Sequence, residues 1–170
     1  IDNSSSMTEA FVGEGTRKAE VIQSANSLAE KLFANNPNVK IGVVGFSSLD
    51  ASKGEREGTI NDAQLISDLS NSQSEVSQAI ATLGNSETGP RTNIEAGLTI
   101  AQNSFSDEPD TNRYIVLLTD GVPNNATDGT YATYSGTVAT RTKAKLEEIQ
   151  AQGVEIIGAM INLPADTVEP

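Results

Sequence analysis

Short apolar runs rich in β-branched residues alternate along this chain with stretches of helical periodicity, and that alternation restricts the possible folds more than any other feature. The clearest run is Tyr114-Ile115-Val116-Leu117-Leu118, within residues 113–119, which Asp120-Gly121 breaks sharply. A strand with no polar alternation has no face to give to water, so it must be covered on both sides. Residues 39–46, Val-Lys-Ile-Gly-Val-Val-Gly-Phe, read the same way, and residues 154–161 supply a further strand.

The intervening stretches repeat their apolar residues at three- and four-residue steps. Residues 16–35 set Ala19, Ile22, Ala25, Leu28, Ala29, Leu32 and Phe33 on one helical face. Ser72-Gln73-Ser74-Glu75 is a capping box that opens a helix burying Val76, Ala79, Ile80 and Leu83, with Gly84 as its stop. Another helix follows Thr92, buries Ile94, Leu98, Ala101 and Phe105, and ends before Pro109. The last, over residues 138–152, turns Val138, Thr142, Leu146 and Ile149 inward and stops at Gly153. Residues 47–61 are polar, with Gly54 and Gly58, and read as an irregular or hairpin excursion without a function.

The predicted class is therefore α/β: a doubly wound, mainly parallel central sheet with helices on both faces. With 170 residues, 36% hydrophobic and 20% charged, and no internal repeat or long linker, one domain is expected over residues 1–170. In such sheets ligands bind outside the carboxyl ends of the strands. Asp2 and Asp120 are expected at that edge.

Composition removes whole classes of chemistry. There is no cysteine and no histidine, so thiolates, imidazole bases, serine triads and the usual zinc ligands are excluded, and any metal must be a hard, oxygen-bound one. A net charge of −12 opposes binding to phosphate backbones, so no nucleic-acid partner is expected. No apolar run spans a bilayer, and Ile1-Asp2-Asn3 has no signal-peptide character, so no membrane contact by this stretch is expected. Gly42 and Gly45 lie inside a strand rather than in a phosphate loop and read as packing glycines.

Asp2-Asn3-Ser4-Ser5-Ser6 places three oxygen-bearing side chains at alternate positions. Mg²⁺ takes about six oxygens in near-octahedral order, so the remainder must come from elsewhere in the chain or from water. Asp2-x-Ser4-x-Ser6, then Thr92 in Arg91-Thr92-Asn93-Ile94, then Asp120 in Leu118-Thr119-Asp120-Gly121-Val122-Pro123-Asn124, resembles the metal-ion-dependent adhesion site of the von Willebrand factor A family. All three parts stand in the family's order. Each also has a plainer reading: residues 4–7 as a polar cap, Thr92-Asn93-Ile94-Glu95 as a capping box, and Asp120-Gly121 as a turn.

The resemblance implies that Ser4 and Ser6 ligate Mg²⁺ or Mn²⁺ directly, that Asp2 and Asp120 act directly or through water, and that Thr92 joins or leaves with the state of the site. It implies binding rather than catalysis, the ion bridging to a carboxylate on a protein ligand such as a host extracellular matrix protein. A bacterial surface or pilus setting is expected from the resemblance, the missing cysteine and the acidic, Asn/Ser/Thr-rich composition. Residues 84–91 and 124–136 are expected to set selectivity. Two departures stand out: the family usually has glycine where Ser5 stands, and the chain is expected to be an excerpt lacking most of the first strand and the final strand and helix.

Two rival functions share parts of the pattern. A phosphatase of the haloacid dehalogenase type also uses Mg²⁺ beside an acidic strand end, but it needs a second aspartate where Ser4 stands. An intracellular interaction module working beside an ATPase, as in the magnesium-chelatase machinery, would keep both the fold and the metal motif.

Overall fold

The computed structural model describes residues 1–11, 15–48, 59–106, 109–130 and 136–161. Helix α1 covers Arg17–Asn35, β1 Ile41–Phe46, β2 Ala63–Ser70, α2 Gln73–Asn85, α3 Ile94–Asn103, β3 Arg113–Thr119, α4 Gly136–Ala151 and β4 Val154–Met160. Single 3₁₀ turns occupy Ser5–Thr8 and Ile60–Asp62. The excursion expected over residues 47–61 falls mostly outside the described residues.

Hydrogen bonding arranges the strands as two ladders. β3 and β4 are parallel, in register from Arg113 opposite Val154 to Thr119 opposite Met160. β1 and β2 are antiparallel. The expectation of a mainly parallel sheet made no allowance for β2, whose Ala-Gln-Leu-Ile-Ser-Asp-Leu-Ser sequence has neither a continuous apolar run nor clean alternation. Between the ladders lie residues 1–3. The Ile1 nitrogen donates to Val44 O at 2.8 Å, Phe46 N to Ile1 O at 3.1 Å and Asn3 N to Phe46 O at 2.7 Å, while Asp2 N donates to Leu118 O at 2.8 Å.

Two apolar clusters follow from the side-chain alternation of the strands. Val43, Val116 and Leu118 pack with Val21, Ala25 and Ala29 of α1 and with Val76, Ala79 and Ile80 of α2. Val44, Phe46, Ile115 and Leu117 pack with Ile94, Ala96 and Leu98 of α3 and with Ile149 of α4. Alternate residues of β3 thus feed different clusters, which places α1 and α2 against one face and α3 and α4 against the other. Each fully buried large side chain, Phe46 and Leu98 among them, contributes about 1.5–3 kcal/mol.

Several helix details differ from the sequence expectation. Thr16 Oγ1 caps α1 by accepting from Ala19 N at 3.2 Å, but the buried stripe is Val21-Ala25-Ala29, and Leu28 and Leu32 are exposed. An i, i+4, i+8 stripe of small and β-branched residues lets α1 lie close to its neighbours, and the two leucines fall on its rim. Gly84 does not end α2, which continues through Asn85. A Cβ on Gly84 would sit 3.4 Å from Ile22 Cγ1, so this glycine sits where α2 meets α1. Gly45 is a packing glycine as expected, since its Cβ would come within 2.6 Å of Leu83 Cδ1.

Candidate metal centre

The amino-terminal motif leaves its place between the ladders and turns at once into the 3₁₀ turn Ser5–Thr8. Met7 is fully buried in the cluster beneath α1 and pins that turn. Pinned in this way, Ser4 and Ser6 bring their hydroxyl oxygens to 3.0 Å from each other, while Ser5 faces solvent. The loop after α2 clamps the motif's backbone: Ser5 N donates to Gly89 O at 2.7 Å and Gly89 N to Asn3 O at 3.0 Å. Asn3 Nδ2 donates to Glu87 O at 2.6 Å and to Ser86 Oγ at 3.0 Å. Part of the 84–91 segment expected to set selectivity is therefore scaffold.

Asp120 stands where β3 ends, its side chain sealed from solvent. Oδ1 accepts from Ser6 Oγ at 2.9 Å, and Oδ2 accepts from Arg17 Nη1 at 2.7 Å. Arg17 is also paired through Nη2 with Glu9 Oε2 at 2.8 Å. Asp2 is equally enclosed, with Oδ1 accepting from Ser4 N at 2.8 Å and Oδ2 from Thr119 Oγ1 at 2.6 Å. Burial raises the Asp2 carboxyl above its ordinary value; the hydrogen bonds from Thr119 and Ser4 oppose that rise and the nearby Asp120 charge adds to it.

Thr92 enters from the start of α3. Asn93, not Thr92, caps that helix, its side-chain oxygen accepting from Ala96 N at 3.1 Å. Thr92-Asn93-Ile94-Glu95 therefore forms no capping box: the cap falls one residue later, where the third residue is Ala96 and returns no bond, and the Thr92 hydroxyl is not spent on it. Thr92 is held by its backbone instead: its N donates to Asn124 Oδ1 at 2.9 Å, and its carbonyl accepts from Asn124 N at 3.0 Å and Asn125 N at 3.2 Å. Its Oγ1 lies 3.8 Å from where a Cβ on Gly121 would stand.

The structure therefore joins Asp2, Ser4, Ser6 and Asp120 through side-chain and backbone hydrogen bonds and sets Thr92 against the residue after Asp120. Ser5 lies outside the left-handed region, where Asp110 is the one described non-glycine residue, so serine in place of the family's glycine carries no backbone strain. Arg17, Thr119, Asn124 and Gly89 were not singled out from the sequence. Thr119 and Asn124 had a signal in the quoted Leu-Thr-Asp-Gly-Val-Pro-Asn run; Arg17 and Gly89 act through long-range partners. Among the described residues no group of three or more His, Cys, Asp or Glu side chains assembles that could hold a metal, so a cation here would depend on hydroxyl oxygens.

The class is that of α/β domains with helices packed on strands, here with a hydroxyl-rich loop meeting an aspartate at the carboxyl end of β3. More particularly, the chain belongs to the von Willebrand factor type A domain family, whose profile matches residues 1–122. Solved structures of the same fold include an aerotolerance-related membrane protein from Bacteroides fragilis, at 20% identity and TM-score 0.64, covering 96% of this chain and 66% of that one. They also include the von Willebrand factor domain of a type V pilus tip protein from Porphyromonas gingivalis, at 22% identity and TM-score 0.54, covering 74% of this chain and 37% of that one. The pilus adhesin SpaC from Lactobacillus rhamnosus GG, in its open conformation, aligns at 16% identity and TM-score 0.65 over 92% of this chain and 22% of that one. Curated protein sequences gave no match.

Proposed function

We propose that this domain binds a protein ligand through one divalent cation, Mg²⁺ or Mn²⁺, held by Asp2, Ser4, Ser6, Thr92 and Asp120 at the metal-ion-dependent adhesion site of a bacterial cell-surface or pilus protein. The carrying observation is the row of oxygens Ser4 Oγ, Ser6 Oγ and Asp120 Oδ1, spaced 3.0 and 2.9 Å apart. Ligands about 2.1 Å from an octahedral ion stand about 3 Å from each other, so the donor set fits a small hard cation in both chemistry and spacing. Asp2 holds the ion through water rather than directly, since its oxygens already accept from the Ser4 backbone and the Thr119 hydroxyl. When bound, the ion supplies a coordination position for an outside carboxylate, such as one on a host matrix protein. With three neutral hydroxyls, Ser4, Ser6 and Thr92, among its ligands, the site leaves positive charge for that carboxylate.

The bonds of residues 1–3 to β1 and β3 support reading the two ladders as one doubly wound, mainly parallel sheet, with the site on its carboxyl edge. Two of the solved structures of this fold come from pilus proteins, and no described helix is long and apolar enough to cross a membrane. The pilus proteins support an extracellular setting. The reading is one of binding, not turnover.

Calorimetric titration with Mg²⁺ and Mn²⁺ tests it. The wild-type domain is expected to bind one ion, and Ser6→Ala and Asp120→Ala to lose at least about tenfold in affinity, as removal of a ligand from a six-oxygen site requires. Wild-type affinity in both variants would remove the assignment.

A further inference from the structure

Arg17, the first residue of α1, lies against this centre. Its side chain is 16% exposed and bridges the sealed carboxylate of Asp120, at 2.7 Å, and the open carboxylate of Glu9, at 2.8 Å. The attachment to Glu9 is reinforced by Arg17 N donating to Glu9 O at 3.0 Å. A fixed positive charge is thus in contact with an acidic oxygen of the cation centre, on the side opposite the Ser6 bond. Two buried carboxylates within one site repel each other, and the guanidinium offsets that repulsion. It also opposes any second positive charge brought to the same oxygens.

We propose that Arg17 is an internal counter-ion that competes with the divalent cation for Asp120 and sets the concentration at which the site loads. This rests on the metal reading above. Glu9 gives the guanidinium a second anchor, so that it turns aside rather than being expelled when a cation takes the aspartate. A cation held with less of the aspartate's charge neutralised by arginine binds more tightly, so loading is tuned by a residue that is not itself a metal ligand.

The test is Mn²⁺ titration by calorimetry together with thermal melting in EDTA, on wild type, Arg17→Gln, Arg17→Lys and Glu9→Gln. Arg17→Gln is expected to bind Mn²⁺ about tenfold more tightly, through removal of a like charge, while melting at a lower temperature in EDTA. Arg17→Lys keeps the charge and stays within about threefold of wild type. Glu9→Gln leaves Arg17 wholly to Asp120 and binds about threefold more weakly, an arm that stands even if Arg17→Gln does not fold. Wild-type binding that Arg17→Gln leaves unchanged or weakens, or that Glu9→Gln leaves unchanged, overturns the counter-ion role and spares the site. Absence of binding by wild type and Arg17→Gln alike overturns both.

Discussion

Ser5 is where the chemistry of single residues meets the fold most directly. It sits between the two serines whose hydroxyls lie 3.0 Å apart, it is exposed, and it takes an ordinary right-handed conformation at the start of a 3₁₀ turn. Restoring the family's glycine would free a backbone that needs no freedom, so Ser5→Gly is expected to lower stability by about 0.5–1 kcal/mol and to leave cation affinity within about twofold. Chemical denaturation and calorimetry read both quantities; a stabilised domain with tighter binding would show that serine strains the loop. The oxygen-bearing residues were legible in the sequence because a hard cation demands oxygens and the motifs carry them at short spacing. The roles of Arg17 and Thr119 were not, because they depend on Asp120 and Asp2, which lie 103 and 117 residues away in the chain.

At the scale of elements, the site depends on the loop that follows α2. Gly89 is where it presses onto the chain: a Cβ there would stand 2.6 Å from Ser47 Oγ and 2.9 Å from both the nitrogen and the carbonyl oxygen of Ser48. The hydroxyl could rotate away, but backbone atoms cannot, so Gly89→Ala must push the loop off the Asn3–Ser5 backbone. A loss of about 1–3 kcal/mol is expected, with weaker Mn²⁺ binding because Ser4 and Ser6 lose their register. Denaturation midpoints at unchanged m-value and a parallel titration check it; wild-type stability and affinity would show that the loop is no clamp. The long, strongly patterned elements could be read in advance: β3 matches its expected residues, and α2 buries the four side chains its period names. β2 could not, since its place comes from pairing with β1 rather than from any pattern of its own. The α1 face was misjudged for a related reason, because packing favoured the stripe of Val21, Ala25 and Ala29 over larger leucines nearby.

The whole molecule carries a net charge of −12, and that charge offers a competing explanation for any stabilisation by Mg²⁺. Self-repulsion of an acidic domain is relieved by every added cation, through screening that depends on ionic strength and not on a site. Specific binding has a different signature. At a free concentration about a hundred times its dissociation constant, a ligand that binds only the folded state adds about 2.7 kcal/mol. For a domain of this size each kcal/mol moves the melting temperature by about 2–4 °C, so the expected rise is about 5–11 °C. Ionic strength held constant with NaCl removes the screening share, and EDTA should return the melt to its starting point. Asp120→Ala retains nearly all of the net charge but lacks one of the oxygens in the row, so it should lose the Mg²⁺ rise while keeping its response to NaCl. An equal rise in the variant and the wild type would assign the effect to the acidic surface as a whole, and the oxygens gathered at the strand ends would then be a hydrogen-bonded junction without an ion.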